Sequence, residues 1–293
     1  MNSLPPQPRF GPAGNSERFY SEGFKRTVDA FRWQQPLGLT AFEYPFGRGI
    51  KLSPEAAREI GAAAAEAGVS ISAHAPYYIN FGSADEEAQQ KSQGYVAHAA
   101  KLLHLMGGDR LVVHVGSPGK RHREDALYSV RAGLLAARHR LVEAGLPHIR
   151  LCIETMGRPS VIGTLEEVLG LVQLDDSFLP CIDFAHLHAA GGGAIRTRED
   201  FAAVLDQAEQ AIGLDRARQM HAHFSHIEYG PKGELRHRIF ADEGFGPDFG
   251  LLAPLLAQRD YRLTVICESR GTMADDAAVM LRQFRQARAL LMG

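Results

Sequence analysis

The feature that most constrains the fold of this 293-residue chain is a repeated alternation of short apolar runs with longer helical segments. The apolar runs are about four to eight residues long, which is the length of a buried strand. Strands that alternate with helices are typical of βα units and a parallel sheet. The predicted strands are residues 8–14, 38–45, 69–77, 110–116, 149–155, 179–183, 219–225 and 263–268.

Eight such units are the number that closes a (β/α)8 TIM barrel. We therefore predict an α/β protein whose residues 1–293 form a single TIM-barrel domain. A doubly wound open sheet is the alternative, but that fold usually carries a G-x-G-x-x-G turn after its first strand. Here the corresponding residues are Gly11, Pro12, Ala13 and Gly14, which do not match.

Capping residues predict where several helices begin and end. Ser53 before Pro54 predicts a helix start, and Gly68 predicts the end of that helix. Thr164 and Glu167 have the spacing of a capping box. Further helices are predicted over residues 17–33, 85–106, 123–144, 197–212, 247–258 and 272–291, and residues 226–245 are predicted to be a polar loop.

Composition narrows the class of protein. No apolar run approaches the roughly 20 residues of a membrane span, and the N-terminus lacks a basic-then-apolar signal, so we expect a cytoplasmic monomer with no membrane partner. The three cysteines lie in strand-like runs without a C-x-x-C motif, which predicts buried core residues rather than disulfides. The net charge of −2 is mild evidence against nucleic-acid binding. We expect the basic clusters 120–123, 138–140 and 236–238 to be solvated surface.

Carboxylate and imidazole side chains recur at the ends of the predicted strands. Function in a TIM barrel lies where strands run into the loops that follow them, and buried charges are costly unless paired or bound to metal. Imidazole and carboxylate together suit Zn²⁺, and also Mn²⁺ or Fe²⁺, so we predict a metal site. Glu43 is its weakest member. The strand-end residues are Glu43, His74, His114, Glu154, Asp183 with His186, His223 and Glu268.

Asp183 and His186 impose a local condition on the sixth strand. Residues three apart point to opposite faces of a continuous strand. If the strand stops at Asp183 and one helical turn follows, both side chains can face one point. We expect the chain to turn in this way.

Three functions are compatible with such a site. Two or more metals about 3.5–4 Å apart and bridged by a carboxylate would polarise a phosphodiester. A sugar or sugar-phosphate isomerase or epimerase would use one divalent metal, with Glu154 and Glu268 shuttling a proton. Such barrels often carry a strand-end lysine, and none occurs here. A binding protein that retains the site without turnover is the third possibility.

The order of these motifs resembles the endonuclease IV family of apurinic/apyrimidinic endonucleases. The resemblance runs from Arg9 to the last helix. It rests most specifically on the segments HAPYYIN and CIDFAH, and it extends to the wider barrel relatives among sugar isomerases and epimerases. It implies a hydrolase that cuts DNA 5′ to abasic sites in base excision repair, with DNA as partner and three zinc ions as cofactors. A small sugar substrate is the alternative partner.

The resemblance also implies a role for each matching residue. His74, His114 and Glu154 would hold the first metal, and Glu154 would bridge to a second. Glu154 and Glu268 would be the catalytic carboxylates, and Tyr77 would contact DNA near the lesion. The remaining implied ligands are Asp183, His223 and Glu268 for the second metal, and His186 and His237 for the third.

One position departs from the family pattern. The family holds its third metal with an Asp-x-His pair, whereas this chain has Leu235 two residues before His237. Glu234, Glu228 or a water could fill the place of the aspartate. The third metal is therefore the point at which we expect the chain to differ from its relatives.

Overall fold

The computed structural model describes residues 7–47 and 49–292, and eight parallel strands form its centre. A separate antiparallel hairpin consists of β8 (His226–Gly230) and β9 (Gly233–Arg238). The strands of the central sheet are β1 (Arg9–Pro12), β2 (Ala41–Pro45), β3 (Ser70–His74), β4 (Arg110–Val113), β5 (Arg150–Glu154), β6 (Leu179–Asp183), β7 (His221–Phe224) and β10 (Thr264–Cys267).

The strand order identifies the type of sheet. Neighbours run β2, β3, β4, β5, β6, β7, β10 and β1, so the order never reverses as it would in a doubly wound sheet. Between β1 and β2, the Thr40 amide donates to the Phe10 carbonyl oxygen over 3.0 Å. Ala13 also forms a parallel bridge with Glu43. The predicted (β/α)8 barrel is confirmed.

Gly11 is required where β1 meets β2. A Cβ at this position would overlap the carbonyl oxygen of Ala41 on the neighbouring strand. Only glycine therefore permits the close backbone approach that completes the ring.

Helices surround the barrel, and most of them match the predicted positions. The prediction of one helix over residues 17–33 is wrong, because α1 ends at Ser21 and Gly23 adopts φ +92°. The helices are α1 (Glu17–Ser21), α2 (Thr27–Gln34), α3 (Pro54–Ala67), α4 (Glu86–Leu105), α5 (Arg123–Glu143), α6 (Leu165–Val172), α7 (Phe184–Ala190), α8 (Arg198–Ile212), α9 (Leu214–Ala217), α10 (Phe249–Gln258) and α11 (Met273–Met292), with a 3-10 turn at Gln35–Leu37.

The predicted caps form as expected. The Ser53 hydroxyl accepts a hydrogen bond from the Ala56 amide, and Gly68 ends α3 in the left-handed conformation. Thr164 and Glu167 make both bonds of a capping box at the start of α6. Each cap provides hydrogen-bond partners for backbone groups that would otherwise be unpaired at a helix end.

The hairpin replaces much of the predicted polar loop. Residues 226–245 were expected to lack regular structure, but β8 and β9 pair through a two-residue turn at Pro231 and Lys232. The misprediction has a physical reason: the hairpin is mostly polar and half-exposed, so it lacks the apolar alternation of a core strand.

Two layers of apolar side chains stabilise the barrel. One layer lies between the strands and the surrounding helices. A smaller group consists of Val112, Cys152, Leu179 and Cys181. All three cysteines are buried and unpaired, as predicted. Among residues 7–47 and 49–292, no helix combines the length and apolarity needed to cross a bilayer.

Candidate metal centre

The strand-end carboxylates and histidines converge at one mouth of the barrel. They divide into three groups whose potential ligand atoms lie within 4.8 Å of one another, and Glu154 and Asp183 each belong to two groups. The groups are His74, His114 and Glu154; Glu154, Asp183, His223 and Glu268; and Asp183, His186 and His237.

The first group is centred on one oxygen of Glu154. The Nε2 atoms of His74 and His114 lie 3.1 and 2.7 Å from Glu154 Oε2. The Nδ1–H of His74 donates to the carbonyl oxygen of Ala75 over 2.7 Å. Because a carbonyl can only accept, Nδ1 carries a proton, and Nε2 is the ring nitrogen that faces the site and would bind a metal.

The second group uses the other oxygen of Glu154. Nδ1 of His223 lies 3.2 Å from Glu154 Oε1 and 3.5 Å from Glu268 Oε1. Asp183 is fully buried beside them, and its Oδ2 has no hydrogen-bond partner. A buried carboxylate oxygen without a donor is costly, so it suits a place where a cation would bind.

The third group depends on the turn that follows β6. Asp183 caps α7, and its Oδ1 accepts a hydrogen bond from the His186 amide over 2.8 Å. This cap turns the chain into a helix directly after Asp183, as the sequence predicted. The His186 ring donates from Nδ1 to the Thr155 carbonyl over 2.9 Å, so its Nε2 is also available as a ligand.

Glu234, rather than Leu235, approaches the third donor group. Leu235 is exposed, whereas Glu234 Oε2 lies 3.5 Å from His186 Nε2. The Glu234 amide donates to Gly157 O over 2.8 Å, and a Cβ at Gly157 would contact Glu234 and His186 too closely. The glycine therefore makes room for the glutamate.

Glu228, the other acidic alternative, is occupied elsewhere. Its Oε2 accepts charged hydrogen bonds of 2.6 Å from both Arg236 and Arg238. These contacts hold the two strands of the hairpin together. Of the two acids, only Glu234 is within reach of His186.

Attraction between acids and imidazoles outweighs the effect of burial on their pKa values. Burial tends to raise the pKa of Glu154, but the charges of His114 and His223 hold it well below the ordinary value. Burial tends to lower the pKa of His74, yet the hydrogen bond and charge of Glu154 raise it to about 9. Without metal, a protonated His74 thus balances the ionised Glu154.

Two small cavities open onto these groups. One of about 250 Å³ is lined by Glu43, His74, His237 and Glu268. Another of about 270 Å³ is lined by the first group together with Tyr77, which is 59% exposed. A larger groove of about 630 Å³ lies outside the barrel among α1, α2 and α3, and its lining contains no histidine. The smaller cavities are therefore the better candidates for a reaction site.

Glu43 lies deeper than a rim carboxylate. It is 1% exposed and contacts Ser72, His221 and His223 inside the barrel. The sequence pattern marked Glu43 but not its partner His221. A signal for His221 was present in the sequence: His221 and His223 are two residues apart on one strand and therefore share a face.

The basic clusters mainly serve the fold. Arg121 donates to the Gly82 carbonyl, and Arg123 pairs with Glu167 of the α6 capping box. Arg236 and Arg238 bind Glu228 as described. These four arginines are therefore engaged in contacts within the fold.

The fold and the donor groups define a TIM barrel with a candidate metal site at one mouth. Comparison with known proteins places this barrel in a family. Residues 31–285 match the xylose isomerase-like TIM barrel family, so the chain belongs to that family. It is 30% identical to an uncharacterized protein of Methanocaldococcus jannaschii, over 89% of this chain and 92% of that one. It is 31% identical to Endonuclease 4 of Thermus thermophilus, over 75% of this chain and 84% of that one.

Solved structures agree with this placement. The crystal structure of endonuclease IV from Thermus thermophilus superposes with a TM-score of 0.69 at 25% identity, covering 97% of this chain and all of that one (100%). A D-tagatose 3-epimerase-like protein gives a TM-score of 0.69 at 17% identity, covering 87% and 91% of the two chains, which shows a shared fold alone. The resemblance to endonuclease IV inferred from the motifs is confirmed.

Proposed function

We propose that this protein is a metal-dependent phosphodiesterase of the endonuclease IV type, cutting DNA on the 5′ side of abasic sites. The observation that carries the proposal is the sharing of Glu154 and Asp183 among three adjoining donor groups. Shared carboxylates hold metals close together, whereas an isomerase with one metal needs only one group. The similarity to Endonuclease 4 supports the same reaction class.

The donor set fits zinc. Histidine nitrogens and carboxylate oxygens are its usual protein ligands, and each group offers three or four of them. The unpartnered Oδ2 of Asp183 and the Nε2 atoms of His74 and His186, which face the donor groups, fit the same role. Mn²⁺ or Fe²⁺ could occupy the same ligands. Bound divalent ions would supply Lewis-acid polarisation of the phosphate and activation of water.

The protein's own carboxylates would orient the reacting groups. Glu154 is buried and accepts from rings on both sides, so its position is rigid. Glu268 is partly exposed and lines the 250 Å³ cavity, where it can accept a proton from an attacking water. We assign Glu268 to the proton and Glu154 to holding the centre together.

Tyr77 would contact DNA beside the lesion. It is exposed at the mouth, and its ring packs edge-on against Tyr78, which in turn packs on Tyr95. This stack fixes the position of an aromatic surface next to the site. A flat ring held in this way can stack on a base or fill the gap left by a missing one.

Glu234 would supply the carboxylate of the third metal in place of the missing aspartate. It approaches His186 to 3.5 Å, and the loop after β5 fixes its backbone. The Glu234 carboxylate reaches His186 although Glu234 lies one position earlier in the chain than the expected aspartate. Asp183, His186, His237 and Glu234 then form the complete donor set.

The direct test is incubation of the zinc-loaded protein with a duplex containing one tetrahydrofuran abasic-site analogue. We expect a single nick 5′ to the analogue, loss of nicking with a chelator, and no nick in the same duplex without the analogue. A protein that binds close to three zinc ions yet leaves the duplex intact would contradict the proposed reaction. One metal per chain together with ketose epimerisation would favour the isomerase alternative.

A further inference from the structure

Glu43 is a buried acid that the three donor groups do not include. Its side chain lies in the barrel interior, and the residue is 1% exposed. An isolated carboxylate at this depth would be strongly unfavourable. Ser72 donates a 2.8 Å hydrogen bond to its Oε2, and the two residues are paired in the β2–β3 register. A carboxylate retained at such a cost must interact with something specific.

Two imidazoles face this carboxylate from β7. His221 Nε2 lies 2.9 Å from Glu43 Oε2, and His223 Nε2 lies 2.9 Å from Glu43 Oε1. Neither ring is aligned well enough for a regular hydrogen bond, whereas the Ser72 bond is aligned. Ser72 is thus the firm anchor of the carboxylate, and a ring rotation would complete the other two bonds.

His223 connects Glu43 to the candidate metal centre. Its Nε2 faces Glu43, and its Nδ1 faces Glu154 and Glu268. Without metal, Nδ1 makes a 3.2 Å hydrogen bond with Glu154. A metal at Nδ1 would leave the single proton of the neutral ring on Nε2, where the Glu43 carboxylate is placed to accept it.

We infer that Glu43 is a positioning residue that fixes the tautomer and orientation of His223 for metal binding. The other rings support the comparison: His74 and His186 donate their second N–H to backbone carbonyls. Nδ1 of His186 also lies 3.3 Å from Asp183 Oδ2, but Asp183 belongs to the donor groups, whereas Glu43 lies outside them behind His223. A carboxylate at the nitrogen that does not face the metal makes the ring a stronger electron donor. His221 and Ser72 hold Glu43 in place. The inference rests on the proposed metal centre but not on DNA cleavage.

The same residues allow one competing interpretation. Cys181, His221 and His223 also offer ligand atoms within 4.8 Å of one another. All three are fully buried, so a metal there would need an entry path that the open groups at the mouth already have. The experiment must therefore count metals as well as measure their affinity.

The test compares the full chain with its Glu43→Gln variant, which keeps the side-chain shape and removes the charge. Zinc affinity is measured by competition with a chromophoric chelator, and Co²⁺ is used as a spectroscopic probe of the ligand field. We expect the zinc ion of the second donor group to lose about 10–100-fold in affinity, the number of zinc ions at saturation to stay the same, and the Co²⁺ absorption to shift. Ser72→Ala, which removes only the anchor, should give a smaller loss in the same direction.

Asp276→Asn is the matched control. Asp276 is also a buried carboxylate, but it accepts hydrogen bonds from Thr272 and the Phe240 amide and contacts none of the donor groups. We expect its zinc affinity and Co²⁺ spectrum to match those of the unmodified protein. This control separates a metal-specific effect from general loss of a buried charge.

Two results would overturn the inference. Unchanged affinity and spectrum in Glu43→Gln would show that Glu43 does not position His223. Loss of one whole metal at saturation, with the remaining affinities intact, would show that the buried group is itself a metal site. If the unmodified protein binds zinc but does not nick DNA, only the proposed nuclease function fails.

Discussion

Histidine orientation is the residue-level property on which the candidate centre depends. Each ring has two nitrogens, and for His74 and His186 a backbone carbonyl takes the proton of one of them. The other nitrogen of each ring then faces a carboxylate. The residue types and their order could be predicted from the sequence, but these carbonyl contacts could not, because they depend on the three-dimensional path of the backbone.

The substitution Glu154→Ala tests the shared carboxylate. Because Glu154 belongs to two donor groups, we expect the variant to lose at least one zinc ion and to lose nicking activity by at least about 100-fold. Metal content by mass spectrometry measures the first effect, and the tetrahydrofuran duplex measures the second. Glu66→Ala is the control, since Glu66 is an exposed partner of Arg32. Full zinc content in the Glu154 variant would mean that the ligand assignment is wrong.

The substitution Glu234→Ala tests the replacement for Leu235. We expect zinc content to fall by one ion per chain while the other ions remain, because Glu234 contacts only the third group through His186. Glu228→Ala is the matched control and should keep the full metal content, since Glu228 binds Arg236 and Arg238 instead. Equal metal content in both variants would exclude a ligand role for Glu234.

The raised pKa of His74 predicts how zinc affinity depends on pH. In the metal-free protein Glu154 raises that pKa to about 9, so zinc must displace a proton at neutral pH. We expect affinity to rise with pH up to about 9, by about tenfold per unit for each displaced proton. Calorimetry in two buffers of different ionisation enthalpy measures the protons released. An affinity that levels off near the ordinary histidine pKa of about 6.5 would contradict this pattern.

At the scale of elements, local signals and tertiary contacts differ in how well the sequence encodes them. Ser53 and Thr164 cap α3 and α6 as predicted, because a cap depends only on residues within one turn. The hairpin β8–β9 was missed because its residues are mostly polar: arginines bound to Glu228 link its strands, and Ile227 is its one fully buried apolar side chain. Glu234 reached the site with that hairpin, so its position could not be predicted from spacing.

The closed barrel could be predicted from the number and order of its strands, but the contacts that close it could not. The apolar runs of the sequence predicted all eight strands, because the strands are buried beneath the surrounding helices. The close approach of β1 and β2 depends on Gly11, which carries no sequence signal of its own role. Glu43 illustrates the same limit, because its partners His221 and His223 lie across the barrel on β7.

The substitution Gly11→Ala tests that closure. A methyl group would overlap the Ala41 carbonyl, so we expect the free energy of unfolding to fall by at least about 1–3 kcal/mol. Urea unfolding followed by circular dichroism measures the loss. Gly94→Ala is the matched control, because Gly94 lies within α4 with open space around it, and alanine there should be neutral or stabilising by about 0.5–1 kcal/mol. Equal stability of the two variants would show that the strands can separate without penalty.

The two carboxylate oxygens of Asp183 have different contacts. Oδ1 starts α7 by accepting the His186 amide, and Oδ2 faces the donor groups without a partner. Asparagine at this position could still cap the helix, but its side chain would be neutral at the mouth of the barrel. Alanine would remove both the helix cap and the negative charge. A chelator should therefore leave α7 folded. The start of the helix depends on Oδ1 alone, which leaves Oδ2 as the oxygen available to the proposed metal.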